Sequence, residues 1–266
     1  MKVGISQLVA PREWSMEQFL KEAKNAGYEA VELACRDDGD LTPDTPKEKL
    51  EQIKSTAAGL GLGLSSMCHS HSSGKSNLLA ADEKQKFGIE RTTKAVQVAA
   101  ALGIPWTLHT LGTFNADLYY DDAYKNAKKA MKTLAKTCEK VNVGIAIEFV
   151  WNGFLFSPME MKRFCDDVGS PKIGFFFDPG NMAVFQFPQH WVRIVGQHVK
   201  RVHLKDWKGR ALNGSWTPLL QGEVNFPAVM AELRKIGYDD ALLSEVPASL
   251  APLPDTVAAI RKIMAM

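Results

Sequence analysis

The chain has 266 residues, 45% of them hydrophobic and 23% charged. It can bury a sizeable core, and single-domain α/β barrels reach this length without splitting. With 32 basic against 30 acidic residues the formal net charge is +2, which leaves no electrostatic footprint for duplex nucleic acid or an anionic membrane surface.

The opening MKVGISQLVA has one Lys, too short an apolar run for a signal peptide and a strand-like pattern. No run of 18 or more apolar residues follows, so no transmembrane helix is expected and a cytoplasmic location is the default. Cys35, Cys68, Cys138 and Cys165 are scattered without a CxxC pair. They read as small buried hydrophobes in a reducing compartment.

Short apolar runs alternate with amphipathic stretches eight times. The predicted strands are VGISQL (3–8), AVELAC (30–35), GLSSMCH (63–69), WTLHTL (106–111), VGIAIEFV (143–150), IGFFFD (173–178), KRVHLKD (200–206) and ALLSEV (241–246). Between the first two, MEQFLKEAKNAG sets Phe19, Leu20 and Ala23 on one helix face and stops on Gly27. Leu50, Ile53 and Ala57 mark a second helix, with Pro46 in its first turn. A third spans roughly 82–102 and closes on Gly103. The fourth, around 121–140, buries Ala127, Ala130, Met131, Leu134 and Cys138. Its lysines at helical spacing read as a solvated face, not a nucleic-acid patch. Ser157 and Pro158 open a fifth, and 188–195, 226–236 and 254–264 supply the rest.

Eight βα units with no linker or low-complexity break predict a single-domain (β/α)8 barrel over residues 1–266. The GxGxxG that a dinucleotide-binding sheet would place after its first strand is missing. The longest loops, 36–45, 71–81, 112–120 and 208–221, all follow strands, which in a barrel puts them on the catalytic face.

The fifth to eighth strands end in a pattern that carries chemistry. Their inward positions near the C-terminal end are Glu148, Asp178, His203 and Glu245. Three carboxylates converging in a partly dry mouth repel one another and need protons or a cation. One imidazole with three carboxylates is a hard N/O donor set that suits a single divalent ion, Mn²⁺, Mg²⁺, Co²⁺ or Zn²⁺. The DPGN that follows the phenylalanine run reads as a turn that aims Asp178 at the barrel axis.

The chain resembles the xylose isomerase-like TIM barrel family of sugar phosphate isomerases and epimerases. The resemblance rests on IEFVWNG, FFFDPGN, RVHLKDW, KAVQVAAALGIPWTLHTLG and QGEVNFPAVMAELRKIGYDDALLSEV, and it covers essentially the whole chain. It implies that Glu148, Asp178, His203 and Glu245 bind one divalent metal, and that Glu148 and Glu245 also act as an acid/base pair. The implied reaction is isomerisation or epimerisation of a sugar or sugar phosphate by proton transfer α to a carbonyl, through a metal-stabilised enediolate. Dehydratases of inososes or dehydroshikimate share the scaffold and the enolate chemistry, so a lyase is the first alternative. A non-catalytic sugar-binding barrel is the second. Relatives are often homodimers or homotetramers.

The chain departs from the family in carrying Asn181 where many epimerases have a substrate-holding histidine. The arginine of the seventh-strand loop is expected at Arg210. Endonuclease IV, a three-zinc relative, would use His69 and His109, but its third site needs a histidine at the Asn181 position and a DxH after the seventh strand, both missing here. The remaining substrate-binding candidates are His69 and His109 at the ends of the third and fourth strands, Asn181, Lys205, Arg210, Glu32 and Trp151. Each has a plainer reading. The histidines could fill the barrel end, Glu32 could pair with a base, and Lys205 could pair with Glu245. Asp206 has outward parity and reads as structural. His71 lies on a glycine- and serine-rich loop, and His190 and His198 lie far from the mouth. Trp14, Phe114, Trp151, Phe154, Trp207 and Trp216 fall in or near βα loops, where two or three could wall a sugar site.

Overall fold

A computed structural model describes residues 1–69 and 74–266; His71 lies outside the described residues. Strands β1 (Lys2–Ser6), β2 (Ala30–Cys35), β3 (Gly63–His69), β4 (Trp106–His109), β5 (Gly144–Glu148), β6 (Ile173–Phe177), β7 (Val199–Leu204) and β10 (Ala241–Ser244) close a wholly parallel barrel in the order β1-β10-β7-β6-β5-β4-β3-β2. A two-stranded antiparallel hairpin, β8 (Asp206–Arg210) and β9 (Asn213–Thr217), rises directly after β7.

Around the barrel run α1 (Met16–Ala26), α2 (Lys47–Gly59), α3 (Glu83–Leu102), α4 (Tyr120–Val141), α5 (Pro158–Val168), α7 (Pro188–Val195), α8 (Phe226–Lys235) and α9 (Leu253–Met264). The fold is the single-domain α/β barrel that the alternation predicted. The start and stop signals act locally. Ser15 and Ser157 accept from Gln18 N and Glu160 N at the starts of α1 and α5, and Gly27 ends α1 at φ 96°.

Period-two alternation splits the apolar residues into two layers. Phe175 and Phe177 face outward into the large cluster between barrel and helices, where Phe175 stacks on Trp191 of α7. Phe176 faces inward with Ala30, Cys68, Leu108, Ala146, Ala241 and Leu243. The inner cluster is small because the next inward positions toward the C-terminal end are polar. Phe176 is its ceiling: its ring centroid lies 4.3 Å from that of His203.

Two features differ from the sequence reading. DPGN is no turn. Asp178 is the N-cap of a short helix, α6 (Pro179–Ala183), with Pro179 at its start. The predicted seventh strand also ends early, at Leu204, and Asp206 opens the hairpin instead. Asp206 is structural, as its parity suggested. Its carboxylate accepts from the backbone N–H groups of Trp207, Gly222 and Val224 and ties the hairpin to the loop behind it.

Candidate metal centre and active site

Glu148, Asp178, His203 and Glu245 arrive from four consecutive strand ends, and each offers a donor atom within 4.8 Å of the others. Three of the four are held by named hydrogen bonds. Asp178 uses Oδ1 to cap α6, accepting from Gly180 N at 2.8 Å and Asn181 N at 3.1 Å. The cap fixes the carboxylate and leaves Oδ2 pointing at the centre. His203 Nε2 lies 2.8 Å from Glu32 Oε1, so Nδ1 faces the cluster, 3.4 Å from Glu148 Oε1 and 3.7 Å from Glu245 Oε2. Glu32 in turn accepts from Ser6 and Ser66, each at 2.7 Å. A carboxylate behind the imidazole is the arrangement that fixes and strengthens a metal-ligating histidine. Glu148 accepts from Asn181 Nδ2 at 3.1 Å, and the same amide donates to Phe149 O at 3.2 Å.

One ammonium stands among the carboxylates of the cluster. Lys205 Nζ lies 2.9 Å from Asp178 Oδ2 and closer still to Glu245 Oε2. Neither buried oxygen receives a hydrogen bond of good geometry, so the ammonium neutralises them mainly by charge. Burial opposes the Lys205 charge, but Asp178 and Glu245 outweigh it and hold its pKa above the ordinary value. Burial raises Glu148 to about 7, against the pull of His203 and with the push of Glu245. Burial also disfavours the imidazolium of His203, yet Glu32 and Glu245 raise its pKa well above normal. The same pairing lowers Glu32 despite its burial.

These residues fit a divalent ion. The donor set is hard oxygen and imidazole nitrogen, the donor atoms converge, and two buried carboxylate oxygens lack hydrogen bonds. The ion would take over the neutralising work now shared by Lys205 and bound protons.

The other candidates divide. Lys205 belongs to the cluster through its carboxylate pairs. Trp151 stands at the rim, 45% exposed, stacked on Trp216 with centroids 5.2 Å apart and its Nε1 donating to Asn181 O. Trp216 lies under the Lys205 ammonium at 5.2 Å and packs edge-on against Trp207. Phe114 and Phe154 instead pack around Tyr120, as loop core.

The structure places the remaining five candidates as follows. Glu32 is fully buried and pairs with His203, the second of the two roles the sequence left open for it. Asn181 commits both amide hydrogens to Glu148 and Phe149, so it positions a carboxylate. His69 and His109 sit on the outer face of the barrel wall, because Cys68 and Leu108 take the inward positions. Their rings meet edge to face at 4.7 Å, and His109 Nε2 lies 3.3 Å from Thr92 of α3. Arg210 is exposed near the hairpin tip, 4.0 Å from Glu223, away from the cluster.

A cavity of about 440 Å³ opens beside the cluster, lined by Val9, Lys205, Trp216, Glu245, Val246 and Leu250 among others. Sequence reading missed Val9 and Leu250, whose apolar types carry no signal outside the fold.

Comparison with known proteins agrees with this architecture. The family profile of xylose isomerase-like TIM barrels matches residues 20–265. A Haemophilus influenzae protein with the provisional name L-ribulose-5-phosphate 3-epimerase is 24% identical over 269 residues, covering 92% of this chain and 88% of that protein. The D-psicose 3-epimerase of Clostridium cellulolyticum H10, solved with D-tagatose, superposes with a TM-score of 0.82 at 15% identity, covering 99% of each chain. A D-tagatose 3-epimerase-like protein superposes at 0.85 with 19% identity, covering 100% of this chain and 97% of that one. The chain belongs to the xylose isomerase-like TIM barrel family.

Proposed function

We propose that this protein is a metal-dependent sugar isomerase or epimerase that moves a proton at the carbon next to a carbonyl. The observation that carries the reading is the pair Glu148 and Glu245. They reach one centre from strands separated by β6 and β7, and both come close to Nδ1 of His203. The relatives and structural neighbours named as sugar epimerases support it.

Glu148, Asp178, His203 and Glu245 would hold the ion, which when bound polarises a substrate carbonyl and acidifies the neighbouring C–H. Glu148, oriented by Asn181, would take that proton, and Glu245 would return one. Burial raises the Glu148 carboxyl to about 7, which suits a group that carries or releases a proton near neutrality. The Trp151–Trp216 stack gives an apolar wall for a sugar face, and the cavity beside Lys205 gives room for the rest of the molecule.

The test is deuterium uptake. Protein loaded with Mn²⁺ or Co²⁺ is incubated in D₂O with a panel of ketopentoses, ketohexoses and their phosphates, and products are read by mass spectrometry and NMR. Solvent deuterium at the carbon beside the carbonyl, lost in Glu148→Gln and Glu245→Gln, supports the reading. A product lighter by one water would move the protein to the lyases. Full turnover by either variant would remove the acid/base assignment.

A further inference from the structure

Lys205 directly follows the last residue of β7. Its stem runs beside Gly180, where even a Cβ would come within 2.5 Å of Lys205 Cβ. Its ammonium lies over the Trp216 ring, 5.2 Å from the centroid, where a cation is attracted to the aromatic face. The α6 backbone and the hairpin thus confine this side chain, which is 17% exposed.

Two features set this ammonium apart from a plain counter-ion. The first is its position. The cavity of about 440 Å³ is lined by Lys205 and Glu245, whereas Glu148, Asp178 and His203 do not line it. A molecule in the cavity therefore meets the cluster at the ammonium and at Glu245. The second is its donors. An ammonium carries three N–H groups. Its nitrogen lies 2.9 Å from Asp178 Oδ2 and close to Glu245 Oε2, yet neither oxygen receives a hydrogen bond of good geometry. The donors are not used up by the carboxylates they neutralise.

The charges around the site call for a cation at this point. Glu32, Glu148, Asp178 and Glu245 all belong to it. Among the described residues Lys205 is the one Lys or Arg within ion-pair distance of any of these carboxylates. Proton transfer beside a carbonyl adds another negative charge. The proton passes to Glu148, the C–H electron pair becomes a C=C bond, and the carbonyl π pair moves onto oxygen. An oxygen that gains charge among carboxylates is repelled by them unless fixed donors meet it. When Glu245 returns a proton to carbon, the electrons flow back and the ammonium is unchanged.

We infer that Lys205 is a catalytic residue whose ammonium donates to the substrate's carbonyl oxygen and stabilises the charge that collects there when the neighbouring carbon loses its proton. The inference rests on the proton-transfer reading and adds a fifth side chain to its machinery. A lysine with only a structural duty would hold Asp178 and Glu245 in place and would not distinguish a charged oxygen in the cavity from a neutral one.

Three readouts on Mn²⁺-loaded wild type, Lys205→Met and Lys205→Arg test it. The first is metal content by elemental analysis, which is expected to be the same in all three. Loss of the ion from Lys205→Met alone would make the lysine a structural counter-ion and overturn the inference. The second is calorimetric binding of a four-carbon sugar hydroxamate, a planar anion, against the matching neutral sugar alcohol. The wild type is expected to prefer the hydroxamate. That preference should fall about 10- to 100-fold in Lys205→Met, the worth of charge-assisted hydrogen bonds, and recover partly in Lys205→Arg. An equal preference in wild type and Lys205→Met overturns the inference. The third is deuterium exchange, where kcat should fall about 100- to 1,000-fold in Lys205→Met with KM changed far less. An unchanged kcat also overturns it. A lysine-dependent preference for the hydroxamate in a wild type that exchanges no sugar would count against the proton-transfer reading, while the oxyanion-binding role of Lys205 stood.

Discussion

Single side chains in this mouth have divided labour, and each division can be measured. In the proposed reaction Glu148 and Glu245 differ from Asp178 and His203 in moving the proton. Glu148→Gln or Glu245→Gln should lower deuterium exchange at least about 100-fold while the circular dichroism spectrum stays that of the wild type. Glu32 is fully buried and fixes the His203 ring through Nε2. Glu32→Gln should weaken metal binding by about 10- to 100-fold, read by competition with a fluorescent chelator. Protons and metal compete for the same atoms. Burial raises Glu148 to about 7, and Glu32 and Glu245 raise His203 well above its ordinary value against its burial, so an ion bound by these atoms at pH 6 would displace protons. Metal affinity should therefore rise with pH through 7. Calorimetry at pH 6.5 in buffers of different ionisation enthalpy should show net proton release, and release of no protons would remove the coupling described here.

At the level of elements, the short helix α6 joins fold to site. Its first backbone N–H groups fix Asp178, its Asn181 fixes Glu148, and its Gly180 lets the next strand end come close. A Cβ on Gly180 would lie 2.5 Å from Lys205 Cβ and 2.9 Å from the Trp216 ring. Gly180→Ala should thus displace Lys205 and the hairpin, change the near-ultraviolet signal of Trp216 and weaken metal binding, with the barrel still folded. The strands and long helices were legible because period-two and period-3.6 patterns act over many residues. Parity along β5, β7 and the end of β10 located Glu148, His203 and Glu245. What escaped lies where local signals are short or ambiguous. The five-residue α6 reads as a turn, since Asp-Pro-Gly opens both. The hairpin of β8 and β9 has five-residue strands and an exposed tip at Leu212. His69 and His109 fall on the outer face because β3 and β4 stop where they do: the sequence shows the alternation but not its phase, which the inward Cys68 and Leu108 set.

Across the whole molecule, stability and function meet in the polar upper half of the barrel. The apolar inner cluster is small, and above it lie three carboxylates, an imidazole, a lysine and the buried Glu32. Such a cluster is costly to keep without its ion, so metal should raise the midpoint of thermal unfolding. At an ion concentration 1,000-fold above Kd the gain is about 4 kcal/mol. Asp178→Ala should remove most of that response. The most direct test of the account is metal stoichiometry by elemental analysis. The protein is stripped with chelator, reloaded with Mn²⁺, Co²⁺ or Zn²⁺ and desalted, beside a Glu148→Ala/Asp178→Ala double variant treated in the same way. The account predicts one ion per chain in the wild type and none in the variant. Two or three ions per chain, or equal retention by the variant, would contradict a single centre built from Glu148, Asp178, His203 and Glu245.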